Sequence, residues 1–329
     1  MDRNDIIKNL SGGEPAALFR EADAVRQACC GDSVHLRGLI EFSNYCQRDC
    51  CYCGLRKSNR TVWRYRMDVE EIFRAAENAS RLGFRTVVLQ SGEDAFYSRE
   101  ALCGLVGRIK REIGCAVTLC VGEKTREEYQ ALREAGADRY LLRFETSDKK
   151  LFKKLKPDSS FDARLRCLSW LKELGYQVGS GMMVGLPGQT LATLAEDILL
   201  MEKLDLDMIG LGPFIAHPQT PLGGAVGGTL DLSLRVIALT RIVTRYTHIP
   251  ATTAVGSIDP GGREKALQCG ANVIMPNVTP GSYRKYYEIY PHKICLDEKP
   301  ADCRACIEGM VKSLGRTIDP GYGHSLKWK

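Results

Sequence analysis

Short apolar runs alternate along the chain with longer stretches whose apolar positions recur at helical spacing. The apolar runs have strand length and are mostly apolar on both faces, as buried parallel strands are. The predicted strands cover residues 35–42, 86–90, 116–121, 140–145, 178–184, 208–211, 251–255 and 272–275. The predicted helices cover residues 69–82, 99–112, 125–135, 161–174, 191–204, 230–246 and 263–269.

This alternation predicts an α/β protein, and eight strands favour a complete (β/α)8 TIM-type barrel. A doubly wound open sheet is the alternative, although no GxGxxG follows the first strand to suggest a dinucleotide fold. We expect one structural domain in three parts. Residues 1–32 form an N-terminal helical extension, residues 33–280 form the barrel, and residues 281–329 form a C-terminal extension.

Composition and net charge restrict the classes of protein to which the chain can belong. The chain has 329 residues, of which 44% are hydrophobic and 26% charged, as in globular domains. The formal net charge of +6 includes no long Lys/Arg block, so we expect no nucleic-acid partner. No signal-peptide pattern and no apolar stretch of membrane-spanning length occurs, so we expect a cytoplasmic protein without a membrane partner. In a reducing cytoplasm, the 14 cysteines favour metal or redox sites over disulfides.

Three of these cysteines follow the first predicted strand with the spacing CxxxCxxC. Cys46, Cys50 and Cys53 can each bind one iron of a cubane 4Fe–4S cluster, which leaves the fourth iron open. In a barrel, the loop after a strand opens onto the active-site face. A structural zinc site is the alternative, but it normally requires four ligands. Cys51 is an additional thiol in this loop, for which a packing role is favoured.

A second set of cysteines lies near the C-terminus. Cys295, Cys303 and Cys306 have the spacing Cx7CxxC, which suggests a second iron–sulfur cluster. The remaining cysteines lack ligand spacing and are interpreted as packing residues.

The CxxxCxxC motif, with an aromatic residue before its last cysteine, resembles that of the radical S-adenosylmethionine (radical-SAM) superfamily. Sequence segments along nearly the whole chain also resemble those of the HydE family of iron–iron hydrogenase maturases. The segments are IEFSNYC, CGLRKSN, VVLQSGED, GADRYLLRFET, MVGLPGQT, GPFIAHPQTPL, IPATTA and GANVIMPN. The resemblance implies a barrel fold, a 4Fe–4S cluster with S-adenosylmethionine on its open iron, and formation of a 5′-deoxyadenosyl radical.

The resemblance also implies roles for individual residues. The expected cofactor-binding residues are Gly92, Glu93, Arg143, Glu145, Arg164 and Met183. The expected substrate-binding residues are Thr118, Thr252, Thr253, Met275 and Tyr287, which we place on strands or at the far end of the cavity. From the residues alone, each of these positions is also compatible with a structural role in a barrel, such as a turn, an ion pair or packing.

The function that the resemblance implies is attack of the radical on a sulfur-containing, cysteine-derived, iron-bound substrate. The implied partners are the maturases HydG and HydF and an electron donor such as ferredoxin or flavodoxin. Some members of the family carry the second cluster, as 4Fe–4S or 2Fe–2S. Methylornithine synthase and biotin synthase are the enzymatic alternatives, and an iron–sulfur carrier or scaffold is the alternative that is not an enzyme.

Overall fold

The computed structural model describes residues 1–327. Its helices are α1 Arg3–Ser11, α2 Pro15–Cys30, α3 Val69–Arg81, α4 Arg99–Arg108, α5 Arg126–Glu134, α6 Lys149–Leu155, α7 Phe161–Glu173, α8 Leu191–Lys203, α9 Leu230–Thr244, α10 Thr253–Ile258, α11 Gly262–Gln268, α12 Gly281–Arg284 and α13 Pro300–Ser313. A π-helical turn at Ile109–Ile113 continues α4. Its strands are β1 Ser33–Leu36, β2 Gly38–Ser43, β3 Thr86–Ser91, β4 Ala116–Cys120, β5 Arg139–Leu141, β6 Gln177–Ser180, β7 Met183–Val184, β8 Met208–Ile209, β9 Gly212–Pro213, β10 Val273–Ile274 and β11 Thr317–Ile318.

The central feature is a six-stranded parallel sheet with the order β2-β3-β4-β5-β6-β8. A second parallel sheet has the order β10-β1-β11, and β7 pairs with β9. Parallel neighbours are joined by helical crossovers, as in other α/β proteins. The α/β class predicted from the alternating pattern is therefore confirmed.

Single parallel bridges connect strands that belong to different sheets. Met208 of β8 bridges to His248, and Pro250 bridges to Val273 of β10. On the other side, β10 pairs with β1, and Leu39 of β2 bridges to Asn277. These contacts connect β8, the last strand of the six-stranded sheet, through β10 to β2, its first strand.

The predicted strand at residues 251–255 is wrong. Thr252 is the N-cap of α10, and Thr253 begins that helix. The run Ala-Thr-Thr-Ala-Val has strand-like composition. However, the strand-type contacts in this part of the chain are made earlier, at His248 and Pro250.

A glycine divides the predicted strand at residues 178–184. Gly181 has φ +153, and a Cβ atom there would lie 1.9 Å from the carbonyl oxygen of Gly210. Only glycine allows the two chains to approach so closely. The chain therefore leaves the sheet after β6 and re-forms a short strand, β7, that pairs with β9.

The C-terminal tail covers the end of the sheet opposite the cysteine loop. After β11 pairs with β1, the Tyr322 carbonyl accepts hydrogen bonds from Thr86 Oγ1 (2.7 Å) and Arg139 Nη2 (2.8 Å). His324 contacts Arg139 and Gln177 through Nδ1, and its carbonyl lies 2.9 Å from His248 Nε2. The tail thus supplies polar partners to side chains buried at the base. No helix in residues 1–327 combines the length and apolar character needed to cross a membrane.

Candidate active site

The cysteine loop directly follows β2 and packs against the turn after β3. Cys46 Sγ accepts hydrogen bonds from the backbone N–H groups of Arg48 and Glu93, each at 3.4 Å. Burial raises the pKa of the Cys46 and Cys53 thiols, and Cys50 is also buried. Thiols in such surroundings remain protonated unless a metal stabilises the thiolate. Within residues 1–327, no three His, Cys, Asp or Glu side chains lie close enough together to bind one metal ion.

Gly92 allows the turn after β3 to meet the cysteine loop. A Cβ atom at this position would lie 2.1 Å from the Tyr45 carbonyl oxygen and 2.7 Å from Cys46 Cβ. The adjacent Glu93 directs its N–H towards Cys46 Sγ. The two loops therefore form one wall of the site, and any residue larger than glycine would separate them.

Two arginines and two glutamates form a buried network beside this wall. Arg48, which lies between Cys46 and Cys50, donates to Glu93 through Nε and to Glu123 through Nη2 (2.7 Å). Arg164 Nε lies 3.0 Å from Glu123 Oε1, and Arg164 Nη2 lies 3.9 Å from Glu93 Oε1.

Arg164 has donor capacity that the network does not use. Its side chain is buried, and neither Nε nor Nη2 has a partner with hydrogen-bond geometry within residues 1–327. Burial alone would lower the pKa of Arg164, but the carboxylates of Glu123 and Glu93 raise it. A permanently charged arginine with unused donors at an active-site face is suited to bind a ligand carboxylate.

Arg143 and Glu145 follow β5 and form an ion pair, with 3.0 Å between Nη2 and Oε2. Tyr52, the residue before Cys53, donates its hydroxyl to Glu145 Oε1 at 3.2 Å. Glu145 has φ +67, a left-handed conformation that is costly for a residue other than glycine. Arg143 Nε and Glu145 Oε2 are buried without hydrogen-bond partners in the described chain. Strain and unused polar atoms together are typical of a ligand-binding position.

The segment that begins at Met183 is held by a buried amide and a buried carboxylate. Gln189 accepts hydrogen bonds from the N–H groups of Gly185 (2.8 Å) and Leu186 (3.2 Å), and it donates to the Met183 carbonyl (3.0 Å). Gln189 also donates to Asp197 Oδ2 (3.2 Å).

Asp197, on α8, also accepts from the N–H of Ser147, just after Glu145. Burial raises the pKa of Asp197 to about 6. This carboxyl group therefore joins the end of β5 to the segment at β7.

The residues predicted to bind substrate lie at separate places around the interior. Thr118, on β4, and Thr252, at the start of α10, both have a buried Oγ1 without a partner in residues 1–327. Thr253 and Met275 are half-buried, and Tyr287 is buried. The substrate role of these five residues stays a prediction.

A buried ion pair that the sequence reasoning missed lies next to Tyr287. Glu41, on β2, binds Lys293 Nζ and accepts from Asn277 Nδ2 (2.7 Å), and Lys293 Nζ lies 5.3 Å from the centre of the Tyr287 ring. The interior near this end of the sheet therefore carries charge as well as hydroxyl groups.

Two of the three C-terminal cysteines are adjacent. A hydrogen bond with Cys303 is the main reason that the pKa of Cys295 is lowered to about 6, and Arg263 lowers it further. Cys295 has φ +61, and Cys306 lies on the exposed side of α13. The structure thus places Cys295 and Cys303 together and Cys306 at the surface.

The residues around the cysteine loop fit an iron–sulfur cluster with S-adenosylmethionine. Three thiols on one loop provide the ligands of three irons and leave a fourth iron open. Around them lie a glycine turn that a Cβ would disrupt and unused polar atoms on Arg143, Glu145 and Arg164. These groups match the charged amino-acid moiety of the cofactor in both sign and hydrogen-bonding capacity.

Comparison with known proteins identifies the family. The Radical SAM superfamily matches residues 40–201. The FeFe hydrogenase maturase subunit HydE of Thermotoga maritima is 53% identical over 93% of this chain and 88% of its own length. The chain belongs to the HydE family. It is a radical-SAM enzyme, as the cysteine spacing and the sequence segments along the chain predict.

More distant relatives share the fold of this HydE family member. The 3-methylornithine synthase of Methanosarcina acetivorans is 30% identical over 94% of this chain and 88% of its own length. The crystal structure of methylornithine synthase (PylB) superposes with a TM-score of 0.85 and 26% identity, over 97% of this chain and 94% of that chain. The α/β fold is therefore that of the TIM-barrel-type radical-SAM enzymes, and the superfamily implies a 4Fe–4S cluster and S-adenosylmethionine.

Several residues of this HydE site were not predicted from the sequence. Arg48, Glu123, Gln189, Asp197 and Glu41 all contact predicted site residues or line the interior. A signal existed for Arg48, a charged residue inside the cysteine motif. Glu123 follows the C-terminal end of β4, where barrel enzymes place functional residues.

Proposed function

We propose that this chain cleaves S-adenosylmethionine reductively and directs the 5′-deoxyadenosyl radical onto a sulfur-containing, cysteine-derived, iron-bound substrate in FeFe hydrogenase maturation. The contact that supports this most directly is between the cysteine loop and the turn after β3. There the absence of a side chain at Gly92 leaves space for the Tyr45 carbonyl, and the Glu93 N–H donates a hydrogen bond to Cys46 Sγ. Because an iron–sulfur carrier needs no such cofactor wall, this contact favours the enzyme.

In this proposal Cys46, Cys50 and Cys53 hold the 4Fe–4S cluster as thiolates. When bound, the reduced cluster would supply one electron to S-adenosylmethionine, whose carbon–sulfur bond would break to give methionine and the 5′-deoxyadenosyl radical. The protein contributes binding, orientation and exclusion of water. Burial of Cys50 and of the Cys46 and Cys53 thiols keeps solvent from the side of the cluster that faces the loop.

The cofactor-binding residues divide by the part of the cofactor that each suits. Arg164 and Arg143 suit the methionyl carboxylate by charge, and the backbone at Gly92 and Glu93 suits the methionyl amino group. Glu145 accepts hydrogen bonds from ribose hydroxyls. Met183 packs in an apolar cluster with Leu151, Leu155, Leu186 and Phe214, so its backbone and side chain suit the adenine face.

The interior residues suit a polar substrate that resembles an amino acid. Thr118 and Thr252 have buried hydroxyls available for hydrogen bonds, and Met275 and Tyr287 supply apolar surface. Thr253 directly follows Thr252 and begins α10. Because buried polar groups gain most from a ligand that satisfies them, such a lining favours specific recognition.

The two parallel sheets join into one closed (β/α)8 barrel in this proposal. Three bridges support closure. Met208–His248 and Pro250–Val273 connect β8 with β10, and Leu39–Asn277 connects the segment after β10 with β2. Closure would give the radical a walled interior.

Cys295, Cys303 and Cys306 hold a second iron–sulfur cluster, 4Fe–4S or 2Fe–2S, in the same proposal. The adjacency of Cys295 and Cys303 supports a shared site. The exposed Cys306 would have to turn inward to join them.

The partners of the chain follow from its family. HydG would supply the iron-bound substrate, HydF would receive the product, and a ferredoxin or flavodoxin would supply the electron. The cytoplasm suits this role, because cluster ligands require reduced thiols.

The test is in vitro maturation of apo-hydrogenase with HydG, HydF and this chain as the third maturase. We expect hydrogen evolution that depends on this chain and is lost with Cys50→Ala. Formation of 3-methylornithine, without hydrogenase activation, would replace the proposal with the methylornithine synthase alternative. That alternative has support in the 30% identity and the shared fold.

A further inference from the structure

The short helix α6 presents two chemically distinct faces. Leu151, Phe152 and Leu155 are buried, whereas the lysines at the other positions are exposed. Residues three and four apart lie on the same side of a helix, so these lysines form one surface. We call it the α6 lysine face, consisting of Lys149, Lys150, Lys153 and Lys154.

The buried face of α6 rests on the cluster-binding side of the protein. Leu151 and Leu155 pack with Met183 and Leu186, and Tyr52 of the cysteine loop packs against the same group. The N–H of Cys51, the residue after Cys50, donates to the Leu155 carbonyl at 2.8 Å. Cys51 Sγ also donates to the Lys154 carbonyl at 3.3 Å. The lysine face therefore lies about one helix diameter, roughly 10–12 Å, from the cysteine loop.

Two of the four lysines have no side-chain partner within residues 1–327. Lys149 pairs with Asp162 at 2.6 Å, and Lys153 Nζ donates to the Pro157 carbonyl at 2.7 Å. Within residues 1–327, neither Lys150 nor Lys154 makes an ion pair or a side-chain hydrogen bond. Their charges are therefore available to a partner.

The acidic residues near this face are already engaged. Asp148 caps α6 by accepting from the N–H groups of Lys150 and Leu151. Asp158 accepts the N–H of Asp49, and Asp49 in turn binds Arg56. Each of these carboxylates therefore already accepts a hydrogen bond, whereas Lys150 and Lys154 have no side-chain partner in residues 1–327.

We propose that the α6 lysine face is the docking site of an acidic one-electron carrier protein, which delivers its electron to the cluster through the Cys50–Cys51 segment. This inference rests on the proposed function, in which the cluster must be reduced before S-adenosylmethionine is cleaved. One electron leaves the reduced carrier and enters the oxidised cluster, and no covalent bond forms or breaks. Positive charge steers an acidic partner to this point and accelerates association.

The surface suits a small acidic protein better than a nucleic acid. The face is a single helix of seven residues, and only two of its four lysines are unpaired. Nucleic-acid binding gains its affinity from many neutralised phosphates along an extended surface. The position beside the cysteine loop adds a reason for docking here that applies only to a redox partner.

The experiment compares two reductants on the reconstituted holoenzyme. The first is flavodoxin in its hydroquinone form, and the second is dithionite, a small ion that needs no docking helix. Cluster reduction is followed by stopped-flow absorbance, and 5′-deoxyadenosine is measured separately. The test variant is Lys150→Glu/Lys154→Glu. The matched control, Arg20→Glu/Arg85→Glu, makes the same charge change on α2 and just before β3, at two exposed positions outside α6.

We expect the test variant to be reduced by flavodoxin about tenfold or more slowly at low ionic strength, with the difference shrinking as salt is added. Its reduction by dithionite and its dithionite-driven 5′-deoxyadenosine formation should match wild type. Binding of oxidised flavodoxin to the oxidised holoenzyme, measured by calorimetry, should weaken in the same variant only. Lys150→Arg/Lys154→Arg should keep the wild-type rate, since the charge remains.

Equal flavodoxin rates for the test and control variants would overturn the docking site. Loss of the rate in the Lys→Arg variant would also overturn it, because charge would then not be the cause. Lysine-dependent binding of single-stranded DNA with no effect on flavodoxin would assign the face to nucleic acid instead. Rapid, lysine-dependent reduction by flavodoxin without S-adenosylmethionine cleavage would refute the proposed function and leave the docking site intact.

Discussion

At the scale of single residues, Arg48 joins the cysteine motif to the other charged residues of the candidate site. Arg48 connects the cysteine motif to Glu93 after β3 and Glu123 after β4. Without it, Arg164 alone would face two carboxylates in a buried region. A buried carboxylate that loses its partner is strongly destabilised, so the turn that carries Glu93 would move.

Arg48→Gln should therefore weaken S-adenosylmethionine binding. We expect the Kd of the cofactor to rise about tenfold or more, which corresponds to roughly 1.4 kcal/mol, while kcat at saturating cofactor falls less. Binding is measured from the change in the electron paramagnetic resonance spectrum of the reduced cluster as cofactor is added. Arg56→Gln, which removes an arginine that pairs only with Asp49, is the matched control. An unchanged Kd in Arg48→Gln would exclude the positioning role.

The cysteine ligands could be predicted at this scale, whereas the arginine network could not. Cys46, Cys50 and Cys53 form a local motif, so their spacing alone indicates a cluster. Arg48 and Glu123 are 75 positions apart and acquire a shared role only when the parallel sheet brings the loops after β2 and β4 together. A single sequence contains no local signal for such a pair.

At the scale of elements, the carboxyl group of Asp197 fixes the relation between the end of β5 and the segment at β7. It accepts from the Ser147 N–H and from Gln189, which in turn holds the backbone from Met183 to Leu186. Burial raises its pKa to about 6, above the value expected in the unfolded chain. Since the folded state then binds the proton more tightly, this group stabilises the fold most at low pH and loses that contribution as pH rises towards 6.

Asp197→Asn should make this dependence visible. On going from pH 7 to pH 5, wild type should gain about 1 kcal/mol of unfolding free energy relative to the variant, because only wild type takes up the proton. The measurement is urea unfolding of the chain without clusters at both pH values. If the difference in unfolding free energy between wild type and Asp197→Asn is the same at both pH values, the Asp197 pKa is not raised.

Helix prediction succeeded where local capping agreed with the apolar pattern. Asp68 and Glu71 form a capping box at the start of α3, and Thr125 and Glu128 form one at α5. The error at α10 has the opposite cause. Thr252 caps a short helix in a segment whose composition favours a strand, and only the pairing of His248 and Pro250 reveals where the strand-type contacts lie.

At the scale of the whole molecule, the C-terminal tail stabilises the base of the fold. The tail supplies acceptors to buried donors on Thr86 and Arg139, and it contacts His248. The tail sequence gives no local signal for this role, because its contacts with Thr86 and His248 are made by backbone carbonyls, which every residue carries. Only the fold shows which donors they meet.

Truncation after Ile318 should lower the unfolding free energy by on the order of 3–5 kcal/mol, since several buried hydrogen bonds are lost together. Chemical unfolding of the chain without clusters measures the loss. Tyr322→Ala is the control, because Tyr322 acts through its carbonyl and its side chain is 43% exposed. The account of the tail would be wrong if truncation and the control had equal, small effects.

The central claim is that Cys46, Cys50 and Cys53 hold a cluster that cleaves S-adenosylmethionine. The direct measurement is 5′-deoxyadenosine formed after anaerobic reconstitution and reduction with dithionite, compared among wild type, Cys50→Ala and Cys303→Ala. We predict cleavage by wild type, none by Cys50→Ala, and most of the wild-type amount by Cys303→Ala. Absence of 5′-deoxyadenosine from wild type with an intact cluster would contradict the claim.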